Sequence, residues 1–568
     1  MTGFFFIVAT IALTTLIPWL VKRAIESLEY GRSDDVFLFC GLIAGIALLQ
    51  GVTRVTSRTV VYSIGRRVEY DLRGEFFSHL QRLNPSYFDN LKTGDLISRA
   101  TNDISAVRML MGPGFLQVTN SCIVYLVIIP AMFFLDPILC FYALLPYPVI
   151  IVISRFLTRS MYKRSQEVQE QFGKISSKVQ ENLSGISVVK AFAMEGREEA
   201  VFDGLNSDYR EKNIRFARLR AVMFTIMTAL GSLTTLIILW KGGEGVVSGR
   251  IGLGDFVAFT AYAAILIWPT VGLGWIITVI QRGLSALDRV NTILDYSPTI
   301  VDVKSDGVEE AAFAGKIEFR GLTFAYKDPS RGTESQEILG GIDLTIAAGE
   351  RFALVGPTGS GKSTLLNLIP RLYEVERGEL FIDDKDICDI PLAVLRRQIG
   401  YVPQDSHLFS ATIAENILFG GQGDSQAMEE AAHEASLYDD VLAFPDKFDT
   451  IVGEKGLTLS GGQRQRTALA RALVGNPGIL ILDDSFSSLD TATEEKILSS
   501  LQGKFVEKKT CIIVSHRAST VMNCGRIAFI KEGKIVEVGT HSELLKKGGE
   551  YTSFFRRQEM EKELEELA

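Results

Sequence analysis

The sequence predicts two joined fold classes: a membrane all-α domain of six helices, followed by an α/β domain built on a phosphate-binding loop. Six long apolar stretches crowd the first 295 of its 568 residues. From Lys316 the pattern turns to short alternating strands, and Gly356-Pro-Thr-Gly-Ser-Gly-Lys-Ser363 sits between a strand-like and a helix-like segment. Hydrophobic residues make up 47% of the chain, and the mean hydropathy of +0.19 exceeds what a soluble protein needs. A net charge of −8 argues against a nucleic-acid binder, which wants a basic face. Cys40, Cys122, Cys140, Cys388, Cys511 and Cys524 have no paired spacing, so buried thiols in a reducing compartment are expected rather than disulfides or zinc ligands.

A spanning helix needs roughly 20 apolar residues, and the stretches at about 3–21, 36–62, 115–134, 137–157, 221–240 and 255–280 meet that length. The first lacks a basic leader and a small-residue cleavage site, which favours a span over a signal peptide. Leu135-Asp136 leaves only a tight hairpin between the third and fourth. Two long polar excursions, after the second and fourth stretches, carry Arg66, Arg67, Arg73, Arg82, Lys92, Arg99 and then Arg159, Lys163, Arg164, Lys174, Lys178, Lys190. Basic residues gather on the cytoplasmic side, so both excursions are expected there, with Lys22 and Arg23 a small violation. Val68, Leu72, Phe76 and Leu80 recur every four residues, as do Ile175, Val179 and Leu183, so the helices should continue past the membrane. They should turn near Phe88–Asn102 and Gly185–Arg197.

Polar residues inside apolar spans are the natural places to seek a ligand. Gln50, Arg54 and Arg58 share one helical face. Counted from Val36 at about 1.5 Å per residue, Arg54 lies roughly 27 Å deep, near the inner boundary. It either lines a cavity that favours anionic or amphipathic cargo or snorkels to the interface. Gln117, Asn120, Trp275 and Arg282 are weaker candidates. Pro18, Pro130, Pro146, Pro148 and Pro269 each remove a backbone donor and invite a kink. Residues 296–315 read as a polar, acidic linker, and 558–568 as a charged, solvated tail.

In the second half, Lys316 to Tyr326 reads as a hairpin ending on an aromatic. Phe352-Ala-Leu-Val355 opens into the glycine loop, and Ser363-Thr-Leu-Leu begins a helix, the context a true P-loop requires. Gly356, Gly359 and Gly361 let backbone N–H groups, with Thr358 and Ser360 between them, curl around phosphate oxygens. The helix start adds a favourable dipole, extended by Thr364. Lys362 supplies a point charge for the phosphates, and the Ser363 hydroxyl a ligand for Mg²⁺. Ile479-Leu-Ile-Leu-Asp483 is a second apolar strand ending in a carboxylate.

These motifs, with Leu459-Ser-Gly-Gly-Gln463, make the chain resemble half of an ATP-binding-cassette exporter, over nearly its whole length. The resemblance implies a transmembrane domain at 1–295, a cassette at 316–557 that binds ATP and Mg²⁺, and coupling helices at the two cytoplasmic turns. It implies that Tyr326 stacks on adenine, that Ser363, Gln404 and Asp483 serve the metal, and that His516 contacts the γ-phosphate. Ser487-Ser-Leu-Asp490 matches the loop that crosses the dimer seam, and Glu454 lies where exporters place a cross-linking loop. Ser460, Gly461, Gly462 and Gln463 would cap the nucleotide of the opposite cassette, so a second half-transporter is implied. Relative to the family pattern, the amphipathic elbow helix before the first span is missing or trimmed.

One residue departs from the pattern. Where such a cassette carries a catalytic glutamate, this chain has Asp484. The side chain is shorter by one methylene, roughly 1.5 Å, and a misplacement near 1 Å costs on the order of 100-fold in rate. The expected pocket therefore binds ATP and hydrolyses it slowly, while its intact signature completes a partner's pocket. That combination resembles the heterodimeric multidrug-resistance-like exporters; a homodimer with two slow sites is the alternative. The expected function is ATP-driven export of hydrophobic or amphipathic compounds across the cytoplasmic membrane. A lipid or lipid-linked glycan flippase remains the competing transporter reading, and an ATP-gated channel the non-transport one.

Overall fold

The computed structural model describes residues 2–567 except 90, 301, 303–312, 327–336, 422, 454, 455, 457, 502–508 and 516. The chain divides into two units, one formed by Met1–Gln81 with Gly94–Tyr296 and the other by Arg82–Thr93 with Ser297–Ala568.

The first unit contains six helices long and apolar enough to cross a membrane among the described residues: Thr2–Glu29, Asp34–Leu80, Thr93–Leu135, Pro137–Ser184, Glu195–Val247 and Leu253–Leu294. We number these spans 1 to 6. Each outruns its apolar stretch because the helical periodicity continues into the polar excursions. Thr10, Thr14 and Thr15 return their hydroxyls to carbonyls four residues back, at 2.7, 2.7 and 2.8 Å, which satisfies them inside an apolar helix. The chain stays helical through Pro18, Pro130 and Pro269, and breaks at Leu145–Pro146. Spans 2 and 3 approach closely where Gly65 meets Gly112. A Cβ on Gly65 would lie 3.1 Å from the Gly112 Cα and 3.2 Å from the Arg108 carbonyl.

The short connections at one end of the bundle are tied by charge. Asp136 caps the helix beginning at Pro137, accepting from Ile138 and Leu139 N–H, and meets Arg250 at 3.2 Å. Lys22 pairs with Asp255 at 2.5 Å and Arg23 with Glu26 at 3.1 Å. The two cations that broke the expected charge asymmetry are thus neutralised by local carboxylates.

The turn between spans 2 and 3 comes earlier than Phe88–Asn102. A short helix, Pro85–Asp89, occupies it, and residues from Thr93 already belong to span 3. Asn84 and Pro85 set the start: proline at the first helical position loses no needed donor. Residues 82–93 group with the second unit. The turn between spans 4 and 5 holds the helix Ile186–Ala191.

The second unit contains two sheets. A four-stranded antiparallel sheet runs β2-β1-β4-β5, with β1 Ile317–Ala325, β2 Glu337–Ile346, β4 Leu380–Ile382 and β5 Lys385–Asp386. The segment expected to be a hairpin is a single strand, β1. Gly321, with φ +57°, makes a register shift rather than a turn, its N–H donating to Asp343 at 2.8 Å. The six-stranded sheet runs β10-β9-β3-β8-β7-β6. It comprises β3 Arg351–Val355, β6 Ile399–Val402, β7 Ile479–Asp483, β8 Thr510–Val514, β9 Arg526–Lys531 and β10 Lys534–Gly539.

Strand alternation sends Phe352, Leu354, Ile479, Ile481, Ile512 and Val514 into one core and Ala353, Val355, Leu480, Leu482, Cys511 and Ile513 into the other. Covered on both faces, these parallel strands read as continuous apolar runs. All six cysteines are free; Cys140, Cys388, Cys511 and Cys524 are buried as expected, whereas Cys40 and Cys122 are exposed. Burial pushes the Cys511 thiol up to about 12. Cys40 and Cys122 lie on spans, where an apolar environment and not a protein core surrounds an outward thiol.

Candidate nucleotide site

Parallel pairing brings four strand ends to one edge. Leu354 on β3 is in register with Val514 on β8, Asp483 on β7 with Val514, and Leu482 with Val402 on β6. The segments that follow are the glycine loop from Gly356, the pair Asp483-Asp484, Ser515 and the loop holding Gln404. Ligands of open α/β sheets bind outside these carboxyl ends. Four motifs scattered over more than a hundred residues thus meet because their strands share a register.

The loop has the backbone that its glycines permit. Gly359 and Gly361 take φ values of +80° and +101°, and a Cβ on Gly356 would fall 2.1 Å from the Ile530 carbonyl. Gly361 caps the helix Lys362–Leu368. Lys362 folds back over the loop, its Nζ donating to the carbonyls of Gly356 at 2.8 Å and Pro357 at 2.9 Å. Burial pushes the Lys362 ammonium below its ordinary value, while Asp483 and Asp484 pull it up. That coupling places both carboxylates within electrostatic reach of the lysine. Ser360 Oγ is buried without a hydrogen-bond partner among the described residues, an orphan that a phosphate oxygen would satisfy. Thr358 and Gly359 are exposed at the loop's crest, and Ser363 is half-buried at the helix start.

Asp483 is buried, 3% exposed, and Asp484 is half-buried. Asp484 has φ +46°, and its N–H donates to the Val514 carbonyl at 3.0 Å. Aspartate tolerates this left-handed backbone better than most residues. Gln404 is exposed on its loop. His516, Glu454 and part of the segment after Tyr326 lie outside the described residues.

Tyr326 follows β1 beside the loop helix, its hydroxyl 3.1 Å from Thr364 Oγ1. Its ring meets Tyr373 edge-on, centroids 5.1 Å apart, and Tyr373 donates to Asp89 Oδ2 at 3.0 Å. An aromatic pair thus leads from the loop helix to the short helix Pro85–Asp89.

The signature begins the helix Gly461–Leu473. Ser460 caps it, its Oγ accepting from Gln463 N–H at 3.2 Å while Gln463 Oε1 accepts from Ser460 N–H at 3.0 Å. Because the hydroxyl accepts here, its proton stays free to donate outward from an exposed position. Among the described residues, no hydrogen bond joins Ser460–Gln463 to the glycine loop. Gln465 extends from the same helix to the 487–490 loop: its amide donates to Ser487 Oγ at 2.9 Å and accepts from Ser488 N–H at 3.1 Å.

Arg517 holds that loop from the other side. Its guanidinium reaches Glu494 at 2.6 Å and the carbonyls of Ser487 and Leu489 at 3.2 and 2.8 Å. Glu494 is 1% exposed. Sequence reasoning passed over Arg517, Gln465, Tyr373 and Asp89. Arg517 directly follows His516 and Gln465 lies two residues past the signature; Tyr373 and Asp89 carry no local signal, since their pairing spans 284 positions.

Residues 1–270 match the family of ABC transporter transmembrane regions, and residues 339–487 match the ABC transporter family. An ATP-dependent lipid A-core flippase of Syntrophus aciditrophicus is 35% identical over 542 residues, 95% of this chain and 89% of that protein. The chain belongs to the ABC exporters. The multidrug resistance-like ATP-binding protein MdlA of Escherichia coli is 31% identical to this half-transporter, over 95% of the chain and 90% of MdlA. A solved bacterial Atm1-family ABC exporter with ATP bound covers 98% of each chain with a TM-score of 0.80 and 28% identity. The exporter half is therefore a membrane protein whose cassette binds ATP and hydrolyses it to drive transport.

Proposed function

We propose that this half-transporter exports hydrophobic or amphipathic compounds across the cytoplasmic membrane, its cassette in the cytoplasm, as one subunit of a heterodimer. The observation that carries the dimer is the separation of the two ATP-facing motifs. Lys362, Asp483 and Asp484 converge at one sheet edge, whereas the capped, exposed signature has no hydrogen bond to that loop among the described residues. Such a signature is free to complete a second chain's pocket. The helix Ile186–Ala191 supports the same reading. Ile186, Val188 and Phe192 there are 48%, 59% and 73% exposed, an apolar tip suited to a second cassette.

In this proposal Tyr326 stacks on adenine. The loop from Gly356 through Gly361 cradles the phosphates, with Thr358, Ser360 and Thr364 lining the turn and helix start. Lys362 leaves its two carbonyl partners for the β and γ phosphates. Ser363, Gln404 and Asp483 offer only oxygen donors, the set a hard cation such as Mg²⁺ prefers. Bound there, Mg²⁺ would neutralise charge developing on the transferred phosphoryl group. Asp484 orients and deprotonates the attacking water from a shortened reach, with His516 at the γ-phosphate. Ser460, Gly461, Gly462 and Gln463 cap the partner's nucleotide.

Relatives described as multidrug resistance-like and as a lipid A-core flippase support export and lipid flipping alike. The test is ATP turnover of this chain alone and with a second half-transporter carrying the glutamate. The heterodimer requires turnover to rise at least about 10-fold with the partner; brisk turnover by the chain alone, unaffected by the partner, makes it a homodimer.

A further inference from the structure

Arginines of the membrane unit differ in whether a carboxylate neutralises them. Some are neutralised even where they line a cavity. Arg66, Arg73 and Arg108 share the buried carboxylate of Glu69 at 3.2, 2.9 and 3.2 Å, and Arg289 grips Asp103 through two bonds of 2.9 and 2.6 Å. Arg54 and Arg58 line a cavity of about 410 Å³ that has no carboxylate in its wall, and they have no ion pair among the described residues. A second cavity of about 790 Å³ is lined by the Arg289–Asp103 pair and by Arg155, Arg159 and Arg282, which have no carboxylate partner among the described residues.

Snorkelling explains a lone arginine near a span end, but not the company these keep. Thr10 and Thr14 of span 1, Ser57 of span 2, and Gln117 and Asn120 of span 3 turn to the same cavity as Arg54 and Arg58. Ile7, Ile11, Leu116 and Trp268 add apolar surface to the same cavity. Four spans thus contribute to one chamber with two positive charges, the side-chain amides of Gln117 and Asn120 as neutral donors, and apolar surface. An intramembrane charge is costly and persists where it has a task. Guanidinium forks one helical turn apart suit a phosphate or carboxylate bidentately.

We propose that the cargo is an anionic amphiphile, whose phosphate or carboxylate is held by Arg54 and Arg58 while its apolar part lies against Ile7, Ile11 and Trp268. This rests on the exporter reading and narrows its substrate class. The larger cavity, with Arg155, Arg159 and Arg282, is a second basic station for the same headgroup.

The test uses the full chain in phosphatidylcholine nanodiscs, without nucleotide, so its outcome is independent of whether ATP drives transport. Equilibrium binding is measured for lysophosphatidic acid, dodecyltrimethylammonium, dodecyl maltoside and inorganic phosphate. Lysophosphatidic acid should bind at least about 10-fold more tightly than the cationic and neutral amphiphiles, the scale of one charge-assisted contact. Inorganic phosphate alone should compete weakly, since it lacks the apolar part; competition at equal concentration would make the ligand a free anion and overturn the proposal. Arg54→Gln with Arg58→Gln should remove the preference for the anion, and Arg54→Lys with Arg58→Lys should restore part of it. Equal binding of anionic and cationic amphiphiles by the wild-type chain overturns the proposal without any variant. So does an unchanged preference in the double glutamine variant, which would leave the arginines as membrane-surface anchors.

Discussion

The cassette and the membrane unit declare their functions in opposite ways. In the cassette, short motifs far apart in sequence gather at one sheet edge because four parallel strands share a register. In the membrane unit no motif exists, and the informative residues are polar ones set against an apolar background. Nucleotide chemistry fixes distances to fractions of an ångström, so residue types are constrained at every position that touches phosphate. A cargo cavity needs only a balance of charge and greasy surface, and many residue combinations supply that.

The largest expected effect breaks the cassette and spares the membrane unit. Lys362→Ala removes the charge buried beneath the loop, and ATP turnover should fall by about 100-fold or more. Lysophosphatidic acid binding without nucleotide should not change. Loss of both, in a monodisperse preparation, would show that the two regions are not separable. Next comes stability. Leu354 is 1% exposed between the two sheets, and Leu354→Ala should cost about 2–5 kcal/mol, seen as a lower unfolding temperature of the cassette.

A smaller effect sharpens the edge geometry. Arg517→Lys keeps a cation for the buried Glu494 but gives up the fork that holds the Ser487 and Leu489 carbonyls. Turnover should drop roughly 10-fold while ATP affinity stays within about 2-fold, because the loop is mispositioned and the phosphate cradle is not. Equal losses in both would mark Arg517 as merely structural. The smallest effect tests the bond between Tyr373 and the short helix Pro85–Asp89. Tyr373→Phe deletes the bond to Asp89 and leaves the ring packed on Tyr326. Basal turnover should hold, and stimulation by cargo should fall about 3-fold, the low end of what one exposed hydrogen bond contributes net.

Much of this was legible in the chain itself. Six spans, the glycine loop, the strand ending in Asp483 and the signature each have local patterns: apolar length, strand–loop–helix order, or a capping serine three residues before glutamine. Tertiary pairing was not legible. Lys316 to Tyr326 reads as a hairpin, but pairing with β2 keeps it one strand with a register shift at Gly321. Arg54 and Arg58 could be placed on one helical face, yet only the approach of Gln117 and Asn120 from span 3 separates a cavity wall from a snorkelling pair. The first turn was set too late: residues from Thr93 onward, most of the expected turn, are already helical in span 3. Arg517 stood beside a recognised motif, and only folding shows that it grips the 487–490 loop.

Asp484 is where the cassette's tight geometry and the proposed division of labour meet. The most direct measurement is single-turnover ATP hydrolysis by the purified chain and by Asp484→Glu, each with ATP saturating. If reach limits the chemistry, the wild-type chain is slow and the glutamate variant faster by roughly 10- to 100-fold, with affinity unchanged. A wild-type chain that already hydrolyses briskly, with no gain from the added methylene, would contradict the account.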